Sequence, residues 1–69
     1  MEGCVMGWKV IDNRREIIYT ENYATEQDAL NEMRGRIAED KLRRDCYDYD
    51  VALLEDGTTY EQYMESIED

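Results

Sequence analysis

The sequence predicts an α+β fold: a three-stranded antiparallel sheet with one long helix packed across it and a short C-terminal helix, in the order β-β-α-β-α. Three observations predict it. Two short segments alternate apolar and polar residues, a third is β-branched and aromatic, and an apolar stripe at helical spacing separates the second strand from the last. A Thr-x-x-Gln pattern then opens another helical stripe near the end of the chain. The 69 residues form a single domain, 1–69, without Pro, low-complexity tract, linker or internal repeat.

In "CVMGWKVID" the alternation begins after Gly7. Trp8, Val10 and Asp12 fall on one face of a strand, Lys9 and Ile11 on the other. "DNRR", Asp12 to Arg15, is a polar turn cluster. "EIIYTENY" is β-branched and aromatic and reads as a second strand. About four residues separate the two strands, which makes them an antiparallel hairpin.

"ATEQDALNEMRGRIAEDKLRR" carries the long helix. Thr25 is its N-cap, and Glu26 and Asp28 suit the positive end of the dipole. Ala29, Leu30, Met33 and Ile37 fall within an arc of about 100° and should face the hairpin. Lys41, Arg43 and Arg44 complement the negative end, which explains the basic run without a nucleic-acid patch. Gly35 and Leu42 fit less well. An interior Gly costs about 1 kcal/mol against Ala, and Leu42 points roughly 120° away from Leu30. Either Gly35, Ala38 and Leu42 form a second face that receives another helix, or the helix ends near Asp40.

"YDYDVALLED" alternates again, with Tyr47, Tyr49, Val51 and Leu53 on one face and Asp48, Asp50, Ala52 and Leu54 on the other. Asp56–Gly57 could open a hairpin, but Thr59 with Gln62 matches a capping box. Tyr60, Tyr63, Met64 and Ile67 then follow the i, i+3, i+4, i+7 helical template. The short helix is expected beside the long one or on an edge of the sheet.

The chemistry of the chain excludes several classes of function. There is no His, and Ser66 is the single Ser, so a Ser–His or Cys–His nucleophile cannot be assembled. A domain of this size is not expected to form the cleft that a pair of catalytic carboxylates requires. The chain therefore reads as a non-enzyme. Asp45, Asp48 and Asp50 lack EF-hand spacing, and Cys4 and Cys46 form no CxxC, so no metal or other cofactor is expected. Gly3, Gly7, Gly35 and Gly57 make no phosphate loop. Both Cys are expected as reduced thiols in a cytoplasmic protein, because the N-terminal residues do not resemble a signal peptide. No segment reaches the roughly 18 apolar residues of a membrane span.

Charge supplies the remaining signal. The net charge is −10, and it is segregated: residues 45–69 hold nine acids and no Lys or Arg, while residues 1–44 hold nine acids and eight bases. Direct contact with nucleic acid or an anionic membrane is disfavoured, and the basic surface of a nucleic-acid-binding protein is favoured as partner. Asp48 and Asp50 should project together from one strand face, about 6.8 Å apart in rise. Glu61, Glu65 and Glu68 line one stripe of the last helix beside Tyr60 and Tyr63. Carboxylates held in a row beside tyrosines can stand in for phosphates, with Tyr as rigid contact area. The competing reading is an ordinary solvated face with core tyrosines. Candidate partner-binding residues are Tyr47, Asp48, Tyr49, Asp50, Glu55, Asp56, Glu61 and Glu65. The tyrosines divide, and whichever are not core are expected to touch the partner; Tyr47 and Tyr49 share a face with Val51 and Leu53, which weighs toward the core for both. A homodimer through the Gly35/Ala38/Leu42 face is the alternative, as a self-associating structural or accessory module.

In size, charge and interleaved Tyr, as in "DCYDYD" and "EDGTTYEQYMESIED", the chain resembles the small acidic inhibitors that bacteriophages encode, including anti-CRISPR proteins and other DNA mimics. That resemblance implies inhibition of a host nuclease or surveillance complex, by occupying its nucleic-acid groove or blocking a conformational step. It carries no motif from which contact residues could be transferred. "GWKVIDNRREIIYTENYATEQDALNEM" is also similar to the hairpin-then-helix opening of many small bacterial and phage domains, which bears on fold alone.

Overall fold

A computed structural model describes residues 6–67. The elements run β1 (Met6–Asp12), β2 (Ile17–Ile18), α1 (Glu26–Leu42), β3 (Tyr49–Glu55) and α2 (Tyr60–Ile67). The sheet is antiparallel with strand order β2-β1-β3, so the hairpin strand β1 is central. The α+β fold and element order expected from the alternation are those observed.

β1 and β3 pair without a bulge from Met6↔Glu55 to Asp12↔Tyr49. Residues directly opposite share a face. Trp8, Val10, Asp12, Tyr49, Val51 and Leu53 therefore form one side, and Gly7, Lys9, Ile11, Asp50, Ala52 and Leu54 the other. The Tyr49 hydroxyl donates to Asp40 of α1 at 2.6 Å, and the Arg36 guanidinium of α1 lies 3.9 Å from the Tyr19 ring. These contacts set α1 on the Val10 side. α2 reaches the opposite side: the backbone N–H of Asn13 extends the ladder to Asp48, and the Tyr60 hydroxyl donates to the Asn13 side chain at 2.9 Å. This differs from the placement beside α1 or on an edge. Tyr60 needs a polar partner for its hydroxyl, and the strand end carrying Asn13 offers one.

The second strand is shorter than "EIIYTENY" suggests. After Ile18, Tyr19 N–H still bonds to the Val10 carbonyl, and Tyr23 forms a lone bridge with Trp8. Between them Thr20 to Asn22 stand opposite the single Lys9, so the strand bulges. The cause is Lys9, only 3% exposed, whose ammonium donates to the Thr20 carbonyl and to Asp56, both at 3.1 Å. A buried ammonium needs such acceptors, and the Thr20 carbonyl turns inward to supply one. Asn22 donates to the same Asp56 oxygen at 2.9 Å.

α1 starts where expected, with the Thr25 hydroxyl accepting from the Asp28 N–H at 3.1 Å. Ala29 is fully buried, and Leu30, Met33 and Ile37 are half-buried, as the stripe requires. The stripe continues to Asp40, which is buried at 5% exposure. The helix runs to Leu42 and ends on a Schellman motif: Asp45 N–H bonds to the Asp40 carbonyl at 2.9 Å and Arg44 N–H to the Lys41 carbonyl at 3.0 Å. Arg44 occupies the left-handed position at φ 61°, where Gly is favoured. Replacing Arg44 with Gly should therefore stabilise the chain by about 0.5–1 kcal/mol, measured by urea unfolding. A loss of stability would mean that the Arg44 side chain has a role the cap geometry does not show.

α2 opens on the expected capping box. The Thr59 hydroxyl accepts from Gln62 N–H and the Gln62 side chain accepts from Thr59 N–H, both at 3.1 Å. Asp56–Gly57 makes a turn rather than a hairpin, with Gly57 at φ 85° and Thr58 N–H bonded to the Glu55 carbonyl. Among the described residues the fully buried apolar side chains are Val10, Ile11 and Ala29, and the buried charged ones are Lys9, Asp12 and Asp40. Polar nodes thus anchor the fold alongside a small apolar core. No helix of the described residues is long and apolar enough to cross a membrane.

Candidate acidic interface

The side chains of Asp48 and Asp50 are brought together by Asn13. Its amide donates to Asp48 at 3.2 Å and to Asp50 at 2.9 Å, while its carbonyl oxygen accepts from Tyr60. The antiparallel register produces this arrangement, because Asn13 stands opposite Asp48 at the end of the β1–β3 ladder. One amide nitrogen offsets the repulsion between two carboxylates that both remain exposed. Tyr60 feels the resulting field: partial burial, then Glu16, Asp48, Asp50 and Asp12, push its phenol above the ordinary value. Burial, then Asp50 and Tyr60, do the same to Tyr63, whose ring lies 6.3 Å from that of Tyr60.

Glu61 belongs to the same region. It and Glu16 line an open groove of about 440 Å³ with Thr59, Tyr60 and Met64. Glu65 is exposed on α2. Glu68 lies outside the described residues. Among the described residues no Lys or Arg comes within 4.0 Å of Asp48, Asp50, Glu61 or Glu65.

The remaining candidates sit elsewhere. Glu55 ends β3, about 16 Å from Asp50 by strand rise, and Asp56 follows it. Asp56 is engaged by Asn22 and Lys9, which in that order hold its carboxyl below the ordinary range. It serves the bulge and is a poor candidate for a partner's cation. Tyr47 precedes β3 and is exposed, with the Lys41 ammonium 5.8 Å from its ring. Tyr49 turns inward to Asp40. Of the two tyrosines, Tyr47 is the one left free to touch a partner.

Burial and the Asp40 hydrogen bond push the Tyr49 phenol up to about 12. A phenol whose folded value exceeds its unfolded value contributes stability that is fully present below pH 10 and lost as the pH rises through about 12. Ultraviolet titration of the folded chain should show this late phenol, and Tyr49→Phe should abolish it. A late phenol that persists in Tyr49→Phe would assign the shift to another tyrosine.

A second cavity, about 240 Å³, opens beside the α1 C-terminus and is lined by Asp12, Arg14, Asp40, Cys46 and Tyr47 among others. Its buried carboxylates are already satisfied, Asp12 by Arg14, Arg15 and Tyr19, and Asp40 by Tyr49 and Arg43. Cys46 is exposed and free; Cys4 lies outside the described residues. Among the described residues no group of three His, Cys, Asp or Glu is placed to hold a metal ion.

Asn13 and Glu16 have no signal in the sequence that marks them for this surface, whereas Tyr60 is foreshadowed only as contact area beside the α2 acids. Asn13 reads as a turn residue, and only the register shows that it faces Asp48. Comparison with protein-family models, curated proteins and solved structures finds no match to this chain in any of the three.

Proposed function

We propose that this chain is a non-enzymatic inhibitor that docks its Asp48/Asp50/Tyr60 surface onto the basic groove of a nucleic-acid-handling complex, a CRISPR effector being the leading class. The observation that carries the reading is the Asn13 clamp: two carboxylates, without a cation within 4.0 Å among the described residues, held in register beside an ordered tyrosine. Several other acids are paired within the chain. Glu32 pairs with Arg36, and Glu39, Asp40 and Asp45 gather around Arg43. Asp48 and Asp50 around the start of β3, and Glu61 and Glu65 on α2, instead have no Lys or Arg within 4.0 Å among the described residues, which suits fast encounter with a positive groove.

The test uses purified guide-loaded CRISPR effectors of several types as probes. The chain and its Asp48→Lys/Asp50→Lys double variant are compared for binding and for inhibition of target-DNA cleavage, at low and moderate salt. The expected result is binding to at least one effector that weakens with salt, competes with DNA and falls at least tenfold in the double variant. Unchanged affinity of the variant at both salts would show that the interface lies elsewhere.

Self-association is the second reading. Gly35 and Ala38 are exposed, no described residue beyond the local helix backbone comes within 4 Å of where a Cβ on Gly35 would sit, and Leu42 is 84% exposed. Sedimentation over a range of concentrations distinguishes the two: a dimer abolished by Leu42→Lys supports this reading, and a monomer throughout removes it.

A further inference from the structure

β3 is an edge strand. The Asn13 N–H donates to the Asp48 carbonyl, and bonded and non-bonded pairs alternate along an antiparallel ladder. In the unbroken register the bonded pairs are then Ile11–Asp50, Lys9–Ala52 and Gly7–Leu54. The N–H and C=O groups of Tyr49, Val51 and Leu53 consequently point away from β1, along the open side of the sheet. Among the described residues no further strand pairs with them.

Charge is the one usual protection this edge has, from Asp50 and Glu55. β3 carries no Pro or Lys, and its pairing with β1 contains no bulge. Its two faces differ in chemistry. On one, Asp48 and Asp50 present carboxylates with no Lys or Arg within 4.0 Å among the described residues. On the other, Val51 is half-buried and Leu53 is 47% exposed despite facing the same side as α1. A second copy is a poor occupant, since each chain carries −10 and edge pairing would bring acidic strands together. A basic strand fits both faces: alternate side chains of an added strand meet alternate faces, so cations would oppose Asp48 and Asp50 while apolar residues cover Leu53.

We infer that the free edge of β3 accepts, as a fourth strand, an extended segment of the partner protein in which Lys or Arg alternates with apolar residues. The inference rests on the proposed function for the sign of the partner's charge and adds the mode of recognition. Main-chain hydrogen bonds to Tyr49, Val51 and Leu53 supply the pairing, and the acids select the sequence. Docking of this kind would seat the partner directly beside the Asn13 clamp.

The probe is a short synthetic peptide alternating lysine with valine, titrated into the intact chain while backbone amide exchange is followed by NMR. The expected result is slowed exchange at Tyr49, Val51 and Leu53, with little change at the inward-facing amides of Asp50 and Ala52, which already bond to β1. The same peptide N-methylated at alternate residues should lose binding at least tenfold, because its charge is kept and its ladder hydrogen bonds are removed. Absence of protection at those three amides at saturating peptide, or equal binding of the methylated peptide, overturns strand addition. The Asp48→Lys/Asp50→Lys variant separates the two claims. If methylation abolishes binding and charge reversal does not, strand addition stands and the acidic reading falls; if only charge reversal abolishes it, the acidic surface stands and strand addition falls.

Discussion

Replacing Asp12 with Ala is expected to destabilise the chain by about 2–4 kcal/mol, measured by urea unfolding at neutral pH. The carboxylate is 2% exposed and accepts four hydrogen bonds: Arg14 N–H and Arg15 N–H at 3.0 Å, the Arg15 guanidinium at 3.2 Å and the Tyr19 hydroxyl at 3.0 Å. Alanine would release the hairpin turn and leave the Tyr19 hydroxyl without its acceptor beneath α1. A chain of 69 residues has only roughly 3–10 kcal/mol of stability in all, so a large share rests on this one group. The pH dependence follows. Burial opposes ionisation and is the largest single influence, but the Arg15 N–H, Tyr19, Arg14 N–H and Arg15 guanidinium together outweigh it and hold Asp12 below its ordinary 3.8. A carboxylate depressed in the folded state contributes stability that is present above 3.8 and lost as the pH falls through the folded value. Asp12→Asn should therefore be less stable than the parent at neutral pH, and the gap should close as the solution is acidified below that range. Comparing the pair at each pH cancels the general relief of charge repulsion that acid brings to so negative a chain. An Asp12→Ala chain within about 0.5 kcal/mol of the parent would show that the carboxylate does not organise the hairpin.

Replacing Gly7 with Ala is expected to destabilise by about 1–3 kcal/mol. A Cβ at Gly7 would lie 2.6 Å from the Asn22 Cβ and 2.8 Å from its Cγ and Oδ1. The Asn22 Cβ is fixed to the backbone, so the whole bulge must shift. That shift would pull Asn22 from Asp56 and loosen the cage around the Lys9 ammonium. The cause can be isolated by a double-mutant cycle. Asn22→Gly removes the clashing atom, so Gly7→Ala should cost appreciably less in that background, with a coupling of roughly 0.5–3 kcal/mol. Equal costs in both backgrounds would place the effect in strand propensity and not in the contact.

The features legible in the sequence are the ones that neighbouring residues settle among themselves. Thr25 caps α1 and Thr59 with Gln62 caps α2 because those bonds span three residues and need no fold around them. The faces of β1 and β3 follow from their alternation, since the side-chain period of a strand is two wherever it pairs. The C-terminus of α1 was less legible, with Arg44 in the place where Gly is the usual signal. The bulge was hidden as well: "EIIYTENY" has strand composition throughout, and only a buried Lys9 opposite makes the chain turn Thr20 inward.

The candidate interface divides along the same line. That Asp48 and Asp50 project together, and that the negative charge gathers toward the end of the chain, are properties of the sequence itself, because spacing and charge travel with the residues. Which acids remain free was decided only when the sheet closed. Strand register set Asn13 against Asp48 and Asp50, gave Asp56 to Lys9, and turned Tyr49 toward Asp40. Those partners lie from nine to forty-seven positions apart in the chain. A contact of that span depends on the register and on which face each helix covers, and both come from minimising buried, unpaired polar groups over the whole molecule at once.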